Sequence, residues 1–209
     1  MLGMRRYAVE LAGSFFLVLT FLVSVGGGDP LAALAVGSVL MVLVYAGGGA
    51  PVPHFNPAVS LGAVVRGRLD AAELLPYWAA QLLGTLLAAV LARWLVALPE
   101  GVSLAGDLVA KALVVELLFT FALTYVVLTV GERDRRGNSY YGLAIGFAAA
   151  GGLLVAGPIS GGVLNPGVAF GGAVSGLGTW GSLWVLLVAT FAGGALAGLA
   201  VRQASSSPG

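Results

Sequence analysis

The sequence predicts an all-α membrane protein: six transmembrane helices plus two re-entrant half-helices, arranged as an inverted repeat. Three observations carry that prediction. Of 209 residues, 59% are hydrophobic and only 9% charged, against roughly 25% charged in an ordinary globular protein. Six apolar runs approach or exceed the length of about 20 residues that crosses a bilayer. Two Asn-Pro motifs stand at matched places behind the second and fifth runs. The same numbers exclude other classes. Nineteen charged residues cannot cover a soluble fold of this size. The 33 glycines follow no triplet period and there is no cysteine, so collagen-like and disulfide-stapled chains fail. A net charge of +1 gathers no nucleic acid.

The six runs are Tyr7–Val25, Leu31–Gly48, Ala71–Leu98, Asp107–Val130, Tyr140–Gly157 and Thr179–Val201. Polar or glycine-rich breaks separate them: 26–30, 66–70, 99–106 and 131–139. The first run carries Glu10 and is followed by no small-residue cleavage site, so it is not a removable signal. The runs are uniformly apolar rather than alternating, which argues against a barrel. Arg5, Arg6, Arg66, Arg68, Arg133, Arg135, Arg136 and Arg202 all fall on one face if six crossings are made, leaving Arg93 and Lys111 for the other. That asymmetry places both termini in the cytoplasm. Small residues spaced by four (Gly84 and Ala88, Gly142 and Gly146, Gly194 and Gly198) predict close helix packing within the lipid. Trp78, Trp94, Trp180 and Trp184 lie near span ends and suit an interfacial belt.

Two further segments are too short to span. One runs through the glycines and alanine of 47–50 into Pro51-Val52-Pro53-His54-Phe55-Asn56-Pro57-Ala58-Val59-Ser60. The other runs from Gly157 to Asn165-Pro166-Gly167-Val168. Glu10 precedes Asn56 by 46 residues and Glu116 precedes Asn165 by 49, each glutamate standing well inside its run. An odd number of spans per half turns the halves, about 1–100 and 101–209, upside down relative to each other, which puts a functional site at the midplane. Asparagine is a favoured N-cap and proline is favoured at the first helical position. Each motif therefore starts a half-helix, and irregular backbone at that depth must be buried or line a watery cavity. Two half-helices meeting tip to tip place about half a positive charge at each end. Two asparagine amides beside that potential suit the oxygen of a neutral solute and repel cations.

These residues resemble the aquaporin, or major intrinsic protein, family. Ala8-Val9-Glu10-Leu11-Ala12-Gly13-Ser14-Phe15-Phe16 resembles its opening helix, and His54-Phe55-Asn56-Pro57-Ala58-Val59-Ser60 its first signature loop. Gln81 with Gly84 and then Glu116 are similar to its third and fourth helices, and Asn165-Pro166-Gly167 stands where a second Asn-Pro-Ala is usual. The resemblance implies six helices, two half-helices, a homotetramer with a pore in each subunit, and passive flow of water or small uncharged solutes, without a cofactor. It also implies a selectivity filter at Val36, Leu153, Gly162 and Val168, and pore-facing backbone carbonyls at Val52, Pro53, His54, Gly161, Gly162 and Val163. Family members widely place an arginine where this chain has Val168. Its loss removes a fixed cation and the strongest donor of the constriction. Leu153 and Val36 remove a polar group and an aromatic, so a wider, apolar throat is expected, and apolar throats can also impede water by dewetting.

Charge buried in lipid needs a partner. Glu10 and Glu116 either relay protons, which would make a proton-coupled secondary transporter, or accept hydrogen bonds from their own re-entrant loops. The resemblance and the symmetry of the pair favour bracing, with Gln81 bonded to loop backbone. His54 is the sole histidine and no cysteine exists, so metal ligation is not expected. A closed-pore adhesion protein is the third reading, and it would be indifferent to Asn56→Asp or Asn165→Asp. No nucleophile–base pair or phosphate loop suggests an enzyme. Compact loops suggest a prokaryotic inner membrane.

Overall fold

The computed structural model describes residues 2–48, 52–101, 103–131 and 139–206. Gly49, Ala50 and Pro51 of the first glycine-rich segment, and the arginines Arg133, Arg135 and Arg136 used for orientation, lie outside the described residues. Among the described residues eight helices follow one another: α1 (Leu2–Gly26), α2 (Ala32–Gly47), α3 (Pro57–Arg66), α4 (Ala71–Leu95), α5 (Asp107–Val130), α6 (Tyr141–Ser160), α7 (Pro166–Ser175) and α8 (Trp180–Ser206). No strand occurs among the described residues.

Five of the helices, α1, α4, α5, α6 and α8, are long and apolar enough to cross a membrane. The second predicted span is shorter than its apolar run. α2 has 16 residues, about 24 Å of helix, because Asp29 holds the preceding turn by accepting from the Leu31 N–H at 2.8 Å. Other ends also shift. α1 starts at Leu2, five residues before the apolar run, so Arg5 and Arg6 are helical. α4 stops at Leu95 rather than Leu98. α6 continues through Pro158 to Ser160, where Gly161 at φ 97° closes it; proline in a last turn removes one bond without stopping the helix.

The order α1–α4 is repeated by α5–α8, and so is the packing. α1 lies on α4 and α5 on α8, with the half-helices α3 and α7 held between the two sets. Bare backbone makes this possible. A Cβ at Gly84 would sit 2.3 Å from the Leu11 carbonyl oxygen, and one at Gly193 2.5 Å from that of Leu117. Where the halves meet, α2 and α6 cross at Gly37 and Gly146, each of whose Cβ positions falls 2.5 Å from the other's carbonyl oxygen. Only glycine permits such approach, and lipid-embedded helices gain dispersion contacts from it. Leu75, Leu118, Phe147 and Leu154 point outward with most of their surface free, as lipid-facing side chains do. Trp94, Trp180 and Trp184 are likewise exposed, whereas Trp78 is half-buried and donates its indole N–H to the Pro57 carbonyl at 3.0 Å. Trp78 thus fastens α4 to the start of α3 instead of belonging to a belt.

Candidate functional site

The half-helices begin in the same way. Asn56 and Asn165 are extended (φ −155° and −157°), cap α3 and α7, and are followed by proline at the first helical position. Each side-chain oxygen accepts from a backbone N–H two residues on: Ala58 at 2.9 Å and Gly167 at 2.8 Å. The remaining amide group of each crosses to the other repeat. Asn56 Nδ2 donates to the Leu164 carbonyl and Asn165 Nδ2 to the Phe55 carbonyl, both at 2.9 Å. The tips of α3 and α7 are therefore tied together by a reciprocal pair of bonds. One hydrogen of each amide remains for something else.

Phe55 and Leu164, just before the caps, are the two described non-glycine residues with positive φ, at 51° and 52°. A bulky side chain in that region costs about 1–3 kcal/mol and persists only where its surroundings over-determine it. They do. The Glu10 carboxylate accepts from the His54 N–H at 2.6 Å and the Phe55 N–H at 2.7 Å. The Glu116 carboxylate accepts from the Val163 N–H at 2.8 Å and the Leu164 N–H at 2.7 Å. Each strained residue is held by its own repeat through N–H and by the opposite repeat through C=O.

The third partner of each glutamate differs. Gln81 Nε2 donates to Glu10 at 2.8 Å and to the Ser60 hydroxyl at 3.0 Å. Its bonds go to side chains, not to loop backbone. Ser60 also meets His54 Nδ1 at 3.0 Å. At Glu116 the third donor is the Ser160 hydroxyl, at 2.5 Å. Among the described residues no group of three or more metal-ligating side chains occurs.

A narrow cavity of about 40 Å³ runs along this junction and is bordered by both Asn56 and Asn165. Val36, Leu153, Gly162 and Val168 all line it, as do Pro53, His54 and Val163. Leu153 lies against Gly162, for a Cβ there would stand 2.3 Å from Leu153 Cδ1. Pro57, Ala58, Pro166 and Gly167 are buried behind the asparagines. Val52 borders neither this cavity nor the next; it is buried against Gly131. A wider cavity of about 350 Å³, bordered by Gly161, Ser160 and Thr179, adjoins the narrow one, sharing Phe21, Val163 and Val168 with it. Glu10 and Glu116 border neither.

Much of the lining is paired. Leu17 and Phe21 of α1 face the narrow cavity, as do Leu123 and Val127 of α5, separated from them by the interval between Glu10 and Glu116. Val36, Leu40 and Val44 of α2 are matched by Ile145, Ala149 and Leu153 of α6 at the interval between Asn56 and Asn165, and Val59 is matched by Val168. Two capped half-helices joined tip to tip beside a narrow cavity are what the resemblance implies. The family model for the major intrinsic protein matches residues 4–201. The chain belongs to this family.

Major intrinsic proteins are membrane channels for water and small solutes, not enzymes, and this member is accordingly a multi-pass integral membrane protein. It is 36% identical to "Glycerol uptake facilitator protein-like 6" of Lactiplantibacillus plantarum, over 97% of this chain and 99% of that one. It is 39% identical to "Aquaporin TIP2-2" of Zea mays, over 83% of this chain and 73% of the relative. The fold is that of the aquaglyceroporin from Plasmodium falciparum, with a TM-score of 0.79 at 21% identity over 98% and 97% of the two chains. Sequence reasoning missed Phe21, the reciprocal asparagine bonds and the left-handed Phe55 and Leu164. The fixed spacing from each glutamate was the signal for Phe21. No local signal marks the other two.

Proposed function

We propose that this protein is a passive channel for small uncharged solutes (the glycerol, hydrogen peroxide, ammonia and carbon dioxide class) as well as water, with an apolar filter at Val36, Leu153, Gly162 and Val168. The observation that carries this is that all four line the cavity bordered by Asn56 and Asn165, and none can bear charge. Helix N-termini and two amides supply a positive, hydrogen-bonding midpoint. An uncharged oxygen can exchange water for these donors there, while a cation meets an unfavourable potential. Beyond the midpoint most of the narrow cavity's lining side chains are aliphatic or aromatic hydrocarbon, with His54 among them, which favours solutes carrying an apolar skeleton beside their hydroxyl groups. The similarity to a glycerol uptake facilitator-like protein over nearly both chains supports the solute reading.

Proton coupling is disfavoured by geometry. Both glutamates are spent on backbone N–H groups and neither borders the narrow or the wide cavity. A closed adhesion protein would have no use for two amides at the wall of a passage. Membership of the family supports assembly as a homotetramer, the arginine distribution supports cytoplasmic termini, and the bacterial relative of nearly equal length supports a prokaryotic inner membrane.

Proteoliposomes test the proposal. Vesicles shrunk in glycerol, urea or peroxide should re-swell faster than empty ones, while those in sorbitol stay shrunken. Shrinkage in sorbitol at protein-dependent rate, with no re-swelling in any of the three solutes, would leave a water-only pore. A pH gradient that drives solute above equilibrium would replace the channel by a transporter.

A further inference from the structure

We propose that Phe21 of α1 is the size-determining side chain at the wide-cavity end of the passage, an inference that rests on the channel reading above. Among the residues bordering the two cavities, Phe21, Val163 and Val168 alone border both, so the narrow passage opens into the wider space between them. Of the three only Phe21 is bulky. The filter positions Val36, Gly162 and Val168 are small, and Leu153 is folded over Gly162. Width there is consequently left to the ring.

The ring is also placed by helix register. Phe21 stands eleven residues after Glu10, and Leu17 seven after it, on the helix face that the glutamate fixes against its loop. Phe21 is 5% exposed and belongs to the buried apolar core, so its orientation is set by packing. Its counterpart in the second repeat is Val127. A phenyl ring at one end and an isopropyl group at the other make the passage asymmetric in width although its backbone is nearly two-fold. The class of solute sorted at this point is the small polyol or amide, whose cross-section exceeds that of water and which can slide an apolar edge along a ring.

The test is the ratio of glycerol to water permeability in proteoliposomes holding the full chain. Phe21→Leu should raise that ratio by at least about threefold, and Phe21→Trp should lower it by a similar factor, because the throat widens in one and narrows in the other. Leu118→Ala, on the lipid-facing side of α5, should leave it unchanged. A ratio that stays within error in both Phe21 variants, or moves the same way in both, overturns the proposal. Failure of the channel reading looks different: the unaltered protein then passes no solute at all.

Discussion

The two re-entrant loops share one frame and are supported unequally. In both, a left-handed residue precedes an asparagine cap, a buried glutamate takes two N–H groups, and the asparagine reaches across to the other repeat. The first loop then recruits Gln81, Ser60 and His54, all buried. In the second, Thr190 stands where Gln81 does, and its hydroxyl bonds to its own helix, at the Leu186 and Leu187 carbonyls. Ala169 replaces Ser60 and Val163 replaces His54. Its glutamate is completed by Ser160, which borders the wide cavity. What both loops keep is the minimum that holds a strained turn at membrane depth. What they do not share is surroundings: the first clamp adds three buried side chains and meets the narrow cavity at His54, while the second adds one serine that borders the wide cavity.

The largest effect should come from deleting the clamps. Glu10→Ala strands the His54 and Phe55 N–H groups and one of the two Gln81 amide hydrogens, the other keeping its bond to Ser60, at about 1–3 kcal/mol for each buried donor. Glu116→Ala strands only the Val163 and Leu164 N–H groups, since Ser160 keeps a bond to the Ala156 carbonyl at 3.1 Å. Water from the wide cavity can reach the freed Val163 N–H. Thermal unfolding in detergent should therefore show Glu10→Ala less stable than Glu116→Ala by about 1–3 kcal/mol, one donor's worth. Equal losses would mean that the surroundings of the clamps do not matter.

The asparagines should behave alike, because their cross-bonds are reciprocal. Asn56→Asp and Asn165→Asp keep the oxygen that caps the half-helix and lose the N–H that meets the opposite carbonyl. Each should lose about 1–3 kcal/mol and a large part of its water flux, since a negative oxygen then faces a carbonyl. A difference between the two beyond about 1 kcal/mol would show that the tips are not equivalently tied.

How far this was legible in the sequence follows from where each interaction closes. Apolar length announces α1, α4, α5, α6 and α8, and cap chemistry announces α3 and α7, because both are local. The spacing of Glu10 and Glu116 ahead of the motifs exposes the repeat. Phe55 and Leu164 carry no mark of a positive φ, a conformation imposed by four bonds from residues at least 45 positions away. Arg66, placed by sequence among loop charges, is buried at the end of α3 with its guanidinium on the Leu128 carbonyl. Its role depends on where α5 happens to finish.

The smallest structural effect should come from placing a cation at the proposed filter, and it bears on the ends of the passage instead of its middle. Val168→Arg places a long side chain where the narrow and wide cavities join. The stem can follow the wall while the guanidinium reaches into the wider space, so stability should change by about 1 kcal/mol or less. Flux should change much more. The added group occupies the opening that Phe21 also borders and introduces five donors, to which a water molecule conforms more readily than a three-carbon polyol does. Glycerol re-swelling should fall further than water permeability in the same vesicles. Equal loss of both would mean that residue 168 blocks the passage without sorting what passes, and that the end bearing Phe21 is not where the two solutes are told apart.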